Sequence, residues 1–487
     1  MQLVLWFLIG CGIILRVAQY LVNRSLWMDE AMLALSIIRR SFSELLKPLD
    51  FNQAAPVAFL MLQRLAVELQ GDSELALRLV PLLAGIGSMF LFYGVARRLL
   101  EGYATLISLG LFALSYYPIY YASEVKQYSS DLAIALLLLY LSARYAEPRR
   151  PSGLWTALFG AAGVIAVWFS HPAAFVLAGL GVTLLAWHWR NRDWAGMVRL
   201  SALGALWLCS FGINYWFFSR PLASNQGLIQ YWSGSFMPFP PRSLTDVGWF
   251  KNHFLAVFDH PGGLSAGLAV FFFVIGSAAM ILSSAWRYSL VTAPIAVTLL
   301  ASGLGLYPFS GRLLLFIVPS LLLVVAAGAE QTRLALRYTH ALGGVLLLIA
   351  LFAGPVLGAA SNLAKPRAPE QIRPVLHYLL TQRQSNDVVY VHHGAFPAYQ
   401  YYAKRLGLDQ SKTIFGIKAK QRFWNYVDDV EQLHGLPRVW ILFSHGVSLN
   451  GIDEQTLILQ YLDRIGKRLD SHQAPGAALV LYDLTGV

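Results

Sequence analysis

The stretch MQLVLWFLIGCGIILRVAQYLVNRSLWMDEAM, residues 1–32, places two adjacent carboxylates, Asp29 and Glu30, just after a long apolar run. The run has about twenty residues, enough to cross a hydrocarbon core about 30 Å thick as a helix. It has neither the basic start nor the small-residue cleavage pattern of a signal peptide, so we expect it to persist as the first membrane helix. The two acids would then emerge at the membrane surface.

The composition is typical of an integral membrane protein. Apolar residues make up 56% of the 487 residues and charged residues 13%, roughly half the charged share of an average soluble domain. The mean hydropathy is +0.53. The net charge of +11 does not predict nucleic-acid binding, because the basic residues cluster between apolar runs, where they set topology. Cys11 and Cys209 both lie inside apolar runs and predict no disulfide framework.

About eleven apolar runs are predicted to cross the membrane as helices, since they are uninterrupted rather than alternating. The predicted spans are 3–22, 79–96, 104–121, 129–145, 154–170, 173–189, 199–218, 264–284, 290–307, 312–328 and 341–360. Arginine pairs such as Arg97 and Arg98 fall in short loops that are internal if the amino terminus is cytoplasmic, which agrees with the positive-inside rule. This orientation predicts a multi-pass protein of the plasma (inner) membrane with three long or polar external segments, at 23–78, 122–128 and 219–263.

The chain is expected to form two domains, a membrane domain at 1–362 and an external α/β domain at 363–487. Segment 55–69 is too short and too polar to span, so we expect an interfacial amphipathic helix there and in parts of 30–47. The second domain alternates short apolar strands with helix-like stretches. Its predicted strands begin at Asp387, Lys412, Arg438 and Ala478, and its predicted helices occupy 369–382 and 454–469. The fold class is therefore mainly α, a polytopic helical bundle with external interfacial helices and a small carboxyl-terminal α/β domain.

Ionisable residues near a span boundary need a partner, a cavity or a function. Asp29 is the first candidate for a base that takes a proton from an attacking nucleophile. The alternative is that Asp29 and Glu30 merely begin an amphipathic helix, where acids meet the helix dipole favourably. Spacing alone leaves the two interpretations equal.

The sequence YYASEVKQYSSD, residues 120–131, forms the next external turn and carries Glu124, Lys126 and Tyr128. These residues predict a second acidic and basic cluster that faces the same cavity. Asp131 opens the following helix, where an acid is favourable without any catalytic role. Lys126 could equally extend to lipid headgroups.

Four motifs in order carry a resemblance to a known family. They are LWMDEAMLAL from Leu26, NQAAPVAFLMLQRLAVELQGDSELALRLVPLLAG from Asn52, YYASEVKQYSSDLAIALLLLY from Tyr120 and GRLLLFIVPSLLLVVAAG from Gly311. The set resembles the polytopic C-type glycosyltransferases, in the bacterial branch related to protein O-mannosyltransferases and the lipid A aminoarabinose transferase. The resemblance implies a sugar donor carried on a polyprenyl phosphate or diphosphate.

The resemblance also implies roles for single residues. Asp29 matches the acid of the first external loop, which is the catalytic base or stabiliser, and Glu30 is its neighbour. Glu124, Lys126 and Tyr128 match an acid-x-basic-x-Tyr pattern of the second external loop. Arg312 stands where relatives place an arginine that pairs with the lipid phosphate, a role suited to a planar guanidinium. Many relatives carry His-Pro-Pro where this chain has Gln53-Ala54-Ala55-Pro56, so Asn52 and Gln53 are candidate substrate contacts whose role differs from the family pattern.

Further candidates are weaker. His171 follows a predicted span and could line the cavity or form a helix-end hydrogen bond. Lys251 could bind phosphate and His253 could bind substrate from the long external loop. Nearby aromatic residues are more typical of interfacial anchors than of sugar-stacking platforms. His392 and His393 end a predicted strand but show no third ligand at a usable spacing, so no metal site is expected there.

We therefore expect an enzyme that transfers a sugar from a polyprenyl-phosphate donor to a glycan, lipid or protein acceptor on the external face, with inversion. No cofactor is certain, although Asp29, Glu30 and Glu124 could hold a divalent cation. The main alternative is a transporter or lipid flippase, but paired halves with broken helices are not evident. A polysaccharide polymerase or ligase of another fold and a non-catalytic assembly partner are further alternatives.

Overall fold

A computed structural model of the chain describes residues 1–146, 153–418, 424–446, 448–449 and 452–486. These residues form two compact units. The first unit comprises Met1–Val22 and Ser41–Pro366, and the second comprises Asn23–Arg40 and Arg367–Val487. The short segment that contains Asp29 and Glu30 therefore packs with the carboxyl-terminal part of the chain.

The first unit is helical. Helix α2, Met28–Arg39, belongs to the second unit. The helices of the first unit are α1 Gln2–Leu21, α3 Val57–Gln70, α4 Glu74–Leu99, α5 Ala104–Leu114, α6 Tyr116–Tyr121, α7 Tyr128–Tyr145, α8 Gly153–Phe169, α9 Ala173–Arg190, α10 Trp194–Asn214, α11 Arg220–Ala223, α12 Gln226–Tyr231, α13 Leu244–Asp259, α14 Ala266–Gly303, α15 Val318–Leu336 and α16 Ala341–Ala364. Short 3-10 turns lie at Glu44–Leu46, Asp50–Asn52, Ser233–Ser235 and Gly311–Ile317, and a π turn lies at Tyr215–Ser219.

The predicted membrane spans all fall on helical segments. Seven helical segments of the described chain are long and apolar enough to cross a membrane: Gln2–Leu21, Glu74–Leu99, Ala173–Arg190, Trp194–Leu222, Ala266–Gly303, Gly311–Leu336 and Ala341–Ala364. The predicted spans 264–284 and 290–307 share α14, which is interrupted at Ser284, where φ is −163° and ψ is 83°. The predicted span 104–121 is divided at Ser115 into α5 and α6.

The centre of the first unit is α15, whose residues from Leu321 to Val325 are nearly or wholly inaccessible. It packs closely on α14 through Gly276 and Gly328. A Cβ atom on Gly276 would stand 1.9 Å from the carbonyl oxygen of Val324, so only glycine permits this backbone approach. Small residues at helix contacts are the usual means of close packing between membrane helices.

The second unit contains a five-stranded sheet. Its strands are β1 Val388–Val391, β2 Thr413–Phe415, β3 Val439–Ser444, β6 Lys467–Ala474 and β7 Ala477–Asp483, and a separate pair is formed by β4 Ser448–Leu449 and β5 Ile452–Asp453. The sheet order is β2-β1-β3-β7-β6. Strand β1 runs parallel to β2 and β3, whereas β7 runs antiparallel to β3 and β6. The unit also contains helices α17 Ile372–Gln382, α18 Phe396–Arg405, α19 Trp424–Glu431 and α20 Glu454–Ile465.

The predicted small α/β arrangement is confirmed, with one error. The predicted helix at 454–469 ends at Ile465, and Lys467–Ala474 forms the edge strand β6. Strand β3 is buried at every position, which explains its clear apolar signal, whereas β6 is mostly exposed and polar. An edge strand that faces solvent lacks the apolar run on which strand prediction depends.

Candidate active site

The turn between α6 and α7 is polar in sequence but buried in the structure. Glu124 is 1% exposed and Lys126 is 4% exposed. The Lys126 ammonium donates to the side-chain oxygen of Gln53 at 2.5 Å, and the Gln127 amide donates to the backbone oxygen of Ala54 at 3.4 Å. The turn is thus tied to the segment that leads into α3. Lys126 is directed into the protein by these contacts, so the structure does not support its alternative role as a headgroup anchor.

Arg312 meets the same region through Tyr128. It lies in the 3-10 turn at Gly311–Ile317, and its guanidinium carbon stands 5.5 Å from the centre of the Tyr128 ring. Tyr128 is buried and packs edge to face on Tyr121, with 5.3 Å between ring centres. A guanidinium on an aromatic face is held in place by the attraction between its charge and the ring. The structure therefore brings together Gln53, Lys126, Tyr128 and Arg312.

Asn52 is exposed but conformationally special. Its φ is 53°, and that of Phe51 is 57°, which is the left-handed region that non-glycine residues rarely occupy. The Asn225 amide at the start of α12 donates to the Asn52 oxygen at 3.1 Å. Asn52 thus connects the segment before α3 to the loop at 219–263, and this contact gives it a structural function.

The two candidate residues on α13, Lys251 and His253, differ in how far they are exposed. Lys251 is exposed. His253 is half-buried and stacks on Trp249, with ring centres 4.0 Å apart and planes inclined by 17°. Its Nδ1 atom lies 3.1 Å from the Trp249 carbonyl oxygen. These contacts fix the His253 ring within α13, whereas Lys251 keeps its side chain in solvent.

His171 lies in the turn between α8 and α9. Burial lowers the pKa of its imidazole to about 4, so the ring is neutral near pH 7. Its Nε2 atom is inaccessible and makes no hydrogen bond within the described part of the chain. A helix-end hydrogen bond is therefore not made through Nε2, and His171 remains a candidate substrate contact.

In the second unit, Asp29 and Glu30 occupy the first turn of α2. Asp29 is half-buried, whereas Glu30 is wholly inaccessible. The Arg24 guanidinium lies 3.5 Å from a Glu30 oxygen, and Arg24 is itself 1% exposed. Adjacent helical residues do not face each other, so the two carboxylates point in different directions. Asp29 is thus partly exposed as a residue, although its Oδ2 atom is inaccessible, whereas Glu30 lies wholly inside the protein beside Arg24.

The start of α2 is held by the carboxyl-terminal part of the second unit. Glu370 accepts the Met28 backbone N–H at 2.7 Å with one oxygen and stands 2.7 Å from Nδ1 of His445 with the other. The Tyr402 hydroxyl accepts the backbone N–H of Leu26 at 2.8 Å. Free N–H groups at a helix start need such acceptors. These contacts fix the turn that carries Asp29.

The expectation that His392 and His393 lack a third ligand is wrong. Glu454, which opens α20, brings its carboxylate beside both rings. It lies far along the chain from the two histidines, and only the fold brings the three together. Spacing within one segment could not have revealed it.

The model of the family described as dolichyl-phosphate-mannose-protein mannosyltransferase matches residues 54–216. No curated protein sequence matches the chain significantly. ArnT from Cupriavidus metallidurans, solved bound to undecaprenyl phosphate, superposes with a TM-score of 0.59 at 12% identity, over 98% of this chain and 97% of that chain. The chain has the C-type glycosyltransferase fold.

Two archaeal structures agree with this fold. AglB from Archaeoglobus fulgidus, an oligosaccharyltransferase solved with an inhibitory peptide and a dolichol-phosphate, matches with a TM-score of 0.51 at 12% identity, over 98% of this chain and 74% of that chain. The Archaeoglobus fulgidus oligosaccharyltransferase in complex with Zn and sulfate gives 0.52 at 11% identity, over 89% and 67%. The family match and the fold together support a membrane glycosyltransferase related to ArnT and the O-mannosyltransferases.

Three further residues with notable contacts were not identified from the sequence. Arg24 and Glu370 act through contacts that only the fold reveals. Arg16 is different, because a charged residue inside a predicted span is itself a signal of function. It is 1% exposed in α1, donates to the Gly12 carbonyl at 2.9 Å and lies 5.2 Å from the centre of the Phe112 ring.

Proposed function

We propose that this protein transfers a sugar from a polyprenyl-phosphate carrier to an acceptor hydroxyl on the external face of the plasma membrane. The observation that carries the proposal is the likeness, over nearly the full length of both chains, to a protein crystallised with undecaprenyl phosphate. The buried polar turn at Glu124 and Lys126 adds support, since charged groups near a membrane are retained where they act. The acceptor would be a glycan, a lipid or a protein.

Asp29 is proposed as the base. Its carboxylate takes the proton of the acceptor hydroxyl while the acceptor oxygen forms a bond to the anomeric carbon. The bond from that carbon to the phosphate oxygen breaks, and the polyprenyl phosphate leaves with the electron pair. A single displacement inverts the anomeric configuration. Asp29 is less buried than Glu30, and its neighbour Glu30 holds the turn by pairing with Arg24.

The phosphate of the donor is assigned to Arg312, with Lys126 assisting. The Arg312 guanidinium lies against the Tyr128 ring, and a guanidinium is the group that binds phosphate bidentately. Lys126 supplies a point charge whose position is set by Gln53. Glu124 would orient the sugar or the lysine from the same turn.

The polyprenyl tail has an apolar groove available in the first unit. The groove has a volume of about 430 Å³ and lies between α3 and the end of α8. It is lined by Phe42, Val57, Ala58, Met61, Leu62, Leu65, Trp168 and Phe169. Val57 and Ala58 follow shortly after Gln53 in the chain. A lipid in this groove would therefore bring its phosphate toward the segment that holds Lys126.

The test is transfer by purified protein of a radiolabelled polyprenyl-phosphate sugar to an envelope extract. The wild type should release free polyprenyl phosphate and label the acceptor, and Asp29→Asn should reduce the rate at least a thousandfold while remaining folded. The matched control is Glu101→Gln, which changes an exposed acid on the predicted internal side. Wild-type transfer by Asp29→Asn would remove the assignment. Movement of intact labelled lipid across vesicles without transfer would favour a flippase instead.

A further inference from the structure

Three side chains in the second unit meet at one point outside the proposed transfer machinery. The Nε2 atom of His392 lies 3.3 Å from Oε2 of Glu454, and Nε2 of His393 lies 3.9 Å from the same oxygen. One ligand atom from each of the three side chains lies within 4.8 Å of the other two. The cluster thus combines two imidazoles with one carboxylate.

The convergence of His392 and His393 is unusual for neighbours in a chain. In an extended strand, successive side chains point to opposite faces. Here the strand β1 has ended at Val391, and the turn that follows brings the two rings to 4.2 Å between centres, inclined by 60°. Both rings therefore approach the start of α20 from the same side.

The polar atoms of this cluster are buried and poorly satisfied. His392 is 2% exposed and Glu454 is 3% exposed. Nε2 of His392 and Oε2 of Glu454 face each other at 3.3 Å as an ion pair, and Nδ1 of His393 makes no hydrogen bond within the described ranges. Nearly all buried polar atoms in proteins have a partner. A bound cation would satisfy both Nε2 of His392 and Oε2 of Glu454 in place of this single pair.

We propose that His392, His393 and Glu454 bind a divalent transition-metal ion, with zinc as the best fit. Two imidazole nitrogens and one carboxylate oxygen form a ligand set that zinc favours. With metal–ligand bonds of about 2.0–2.1 Å, tetrahedral ligand atoms stand about 3.3 Å apart. The observed separations of 3.3 Å and 3.9 Å between the histidine Nε2 atoms and Oε2 of Glu454 are close to this value.

The surroundings contain both a supporting and an opposing contact. The Tyr426 hydroxyl donates to Oε1 of Glu454 at 2.8 Å, and outer hydrogen bonds of this kind orient metal-bound carboxylates. The Gly394 N–H lies 3.3 Å from Nδ1 of His392. Metal binding through Nε2 therefore requires the His392 proton to sit on Nδ1 and this long contact to open.

The site would leave one coordination position for water. His392 and Glu454 line a cavity of about 200 Å³, whose wall also includes Ser444, His445 and Gln473. The ion would join the end of β1 to the start of α20, two elements that are not adjacent in the chain. This metal site goes beyond the proposed sugar transfer and does not depend on it.

The test uses the full-length protein in detergent, stripped with a chelator and reloaded with zinc alone. We expect His393→Asn and Glu454→Gln each to lose one equivalent of bound zinc, with affinity reduced at least a hundredfold. His434→Asn is the matched control, since it changes an exposed histidine of the same unit. Unchanged zinc stoichiometry in both ligand variants would overturn the proposal.

X-ray absorption on the zinc-loaded wild type keeps the test independent of how the variants fold. The expected spectrum shows about four nitrogen and oxygen ligands with scattering from two imidazoles. Absence of tight zinc binding by the wild type, or a first shell without imidazole, would overturn the proposal. Because zinc binding is read without any sugar donor, its failure is distinct from a failure of transfer.

Discussion

The Arg24 guanidinium lies 3.5 Å from the Glu30 carboxylate, and both side chains are withdrawn from solvent. A buried ion pair gains little over a well-packed apolar pair, yet removal of one partner is costly, because an uncompensated charge stays behind. The pair stands directly beside Asp29. The most direct effect of the Arg24–Glu30 pair is to fix the first turn of α2, which carries the proposed base Asp29.

Glu30→Gln should therefore act mainly on stability. We expect a cost of about 3–5 kcal/mol, since the buried Arg24 charge loses its counter-charge. Thermal unfolding in detergent, followed by intrinsic fluorescence, measures the effect. The control is Glu68→Gln, which breaks an exposed pair with Arg64 and should cost less than about 1 kcal/mol. A Glu30→Gln protein of wild-type stability that has lost transfer would instead make Glu30 catalytic.

Arg312→Ala should chiefly weaken donor binding. We expect the KM for the polyprenyl-phosphate sugar to rise at least tenfold, whereas Arg312→Lys should recover only part of the loss, because an ammonium cannot bind phosphate bidentately. Steady-state kinetics at varied donor concentration provide the measurement, with the exposed Arg337→Ala as control. An unchanged donor KM would place the phosphate elsewhere.

Gln53→Glu should reduce donor affinity through Lys126. The Gln53 oxygen already accepts from the lysine at 2.5 Å, so a carboxylate there would neutralise the ammonium and compete with the phosphate. We expect a donor KM raised several-fold, partly reversed at high salt. Gln53→Met, which removes the acceptor without adding charge, separates the effect of the charge from loss of the contact. Equal kinetics for the two variants would contradict the electrostatic explanation.

The lowered pKa of His171 predicts that the stability of the protein depends on pH. Burial lowers its folded-state pKa from 6.5 to about 4, so between these values the unfolded chain binds more protons than the folded one. Stability should be fully present above about pH 6.5 and decline toward pH 4, by up to about 3 kcal/mol. His171→Asn should flatten this part of the profile in a series of thermal melts. An identical decline in the variant would assign the effect to other groups.

The membrane orientation can be tested by cysteine labelling. In a background where Cys11 and Cys209 are replaced by serine, Lys251→Cys should react with a membrane-impermeant maleimide on intact cells. Arg337→Cys should react only after permeabilisation, because the positive-inside rule places it in the cytoplasm. The reverse labelling pattern would invert the topology and move the proposed site to the cytoplasmic face.

The fold was largely predictable because each helix of the bundle depends on a local apolar run. The same holds for the buried strands β1, β3 and β7. The interruption of α14 at Ser284 coincides with the end of the predicted span 264–284. The exposed edge strand β6 carries no comparable local signal. The candidate site was predictable only in part. Lys126 and Arg312 can be recognised in the sequence as charges at the ends of predicted spans. The contact of Gln53, the ion pair of Arg24 and the approach of Glu454 to the two histidines could not be recognised, because each depends on the fold.

The packing of Asn23–Arg40 with residues 367–487 has a consequence for dissecting the protein. Deleting residues 367–487 would remove the Glu370 acceptor of Met28 and the Gln400 acceptor of Arg39. In the truncated protein, the segment Asn23–Arg40, which carries the proposed base Asp29, would then lose its packing partners. Chimeras between relatives should accordingly exchange Asn23–Arg40 and residues 367–487 together. Exchange of either segment alone would pair surfaces from two different proteins within one packed unit.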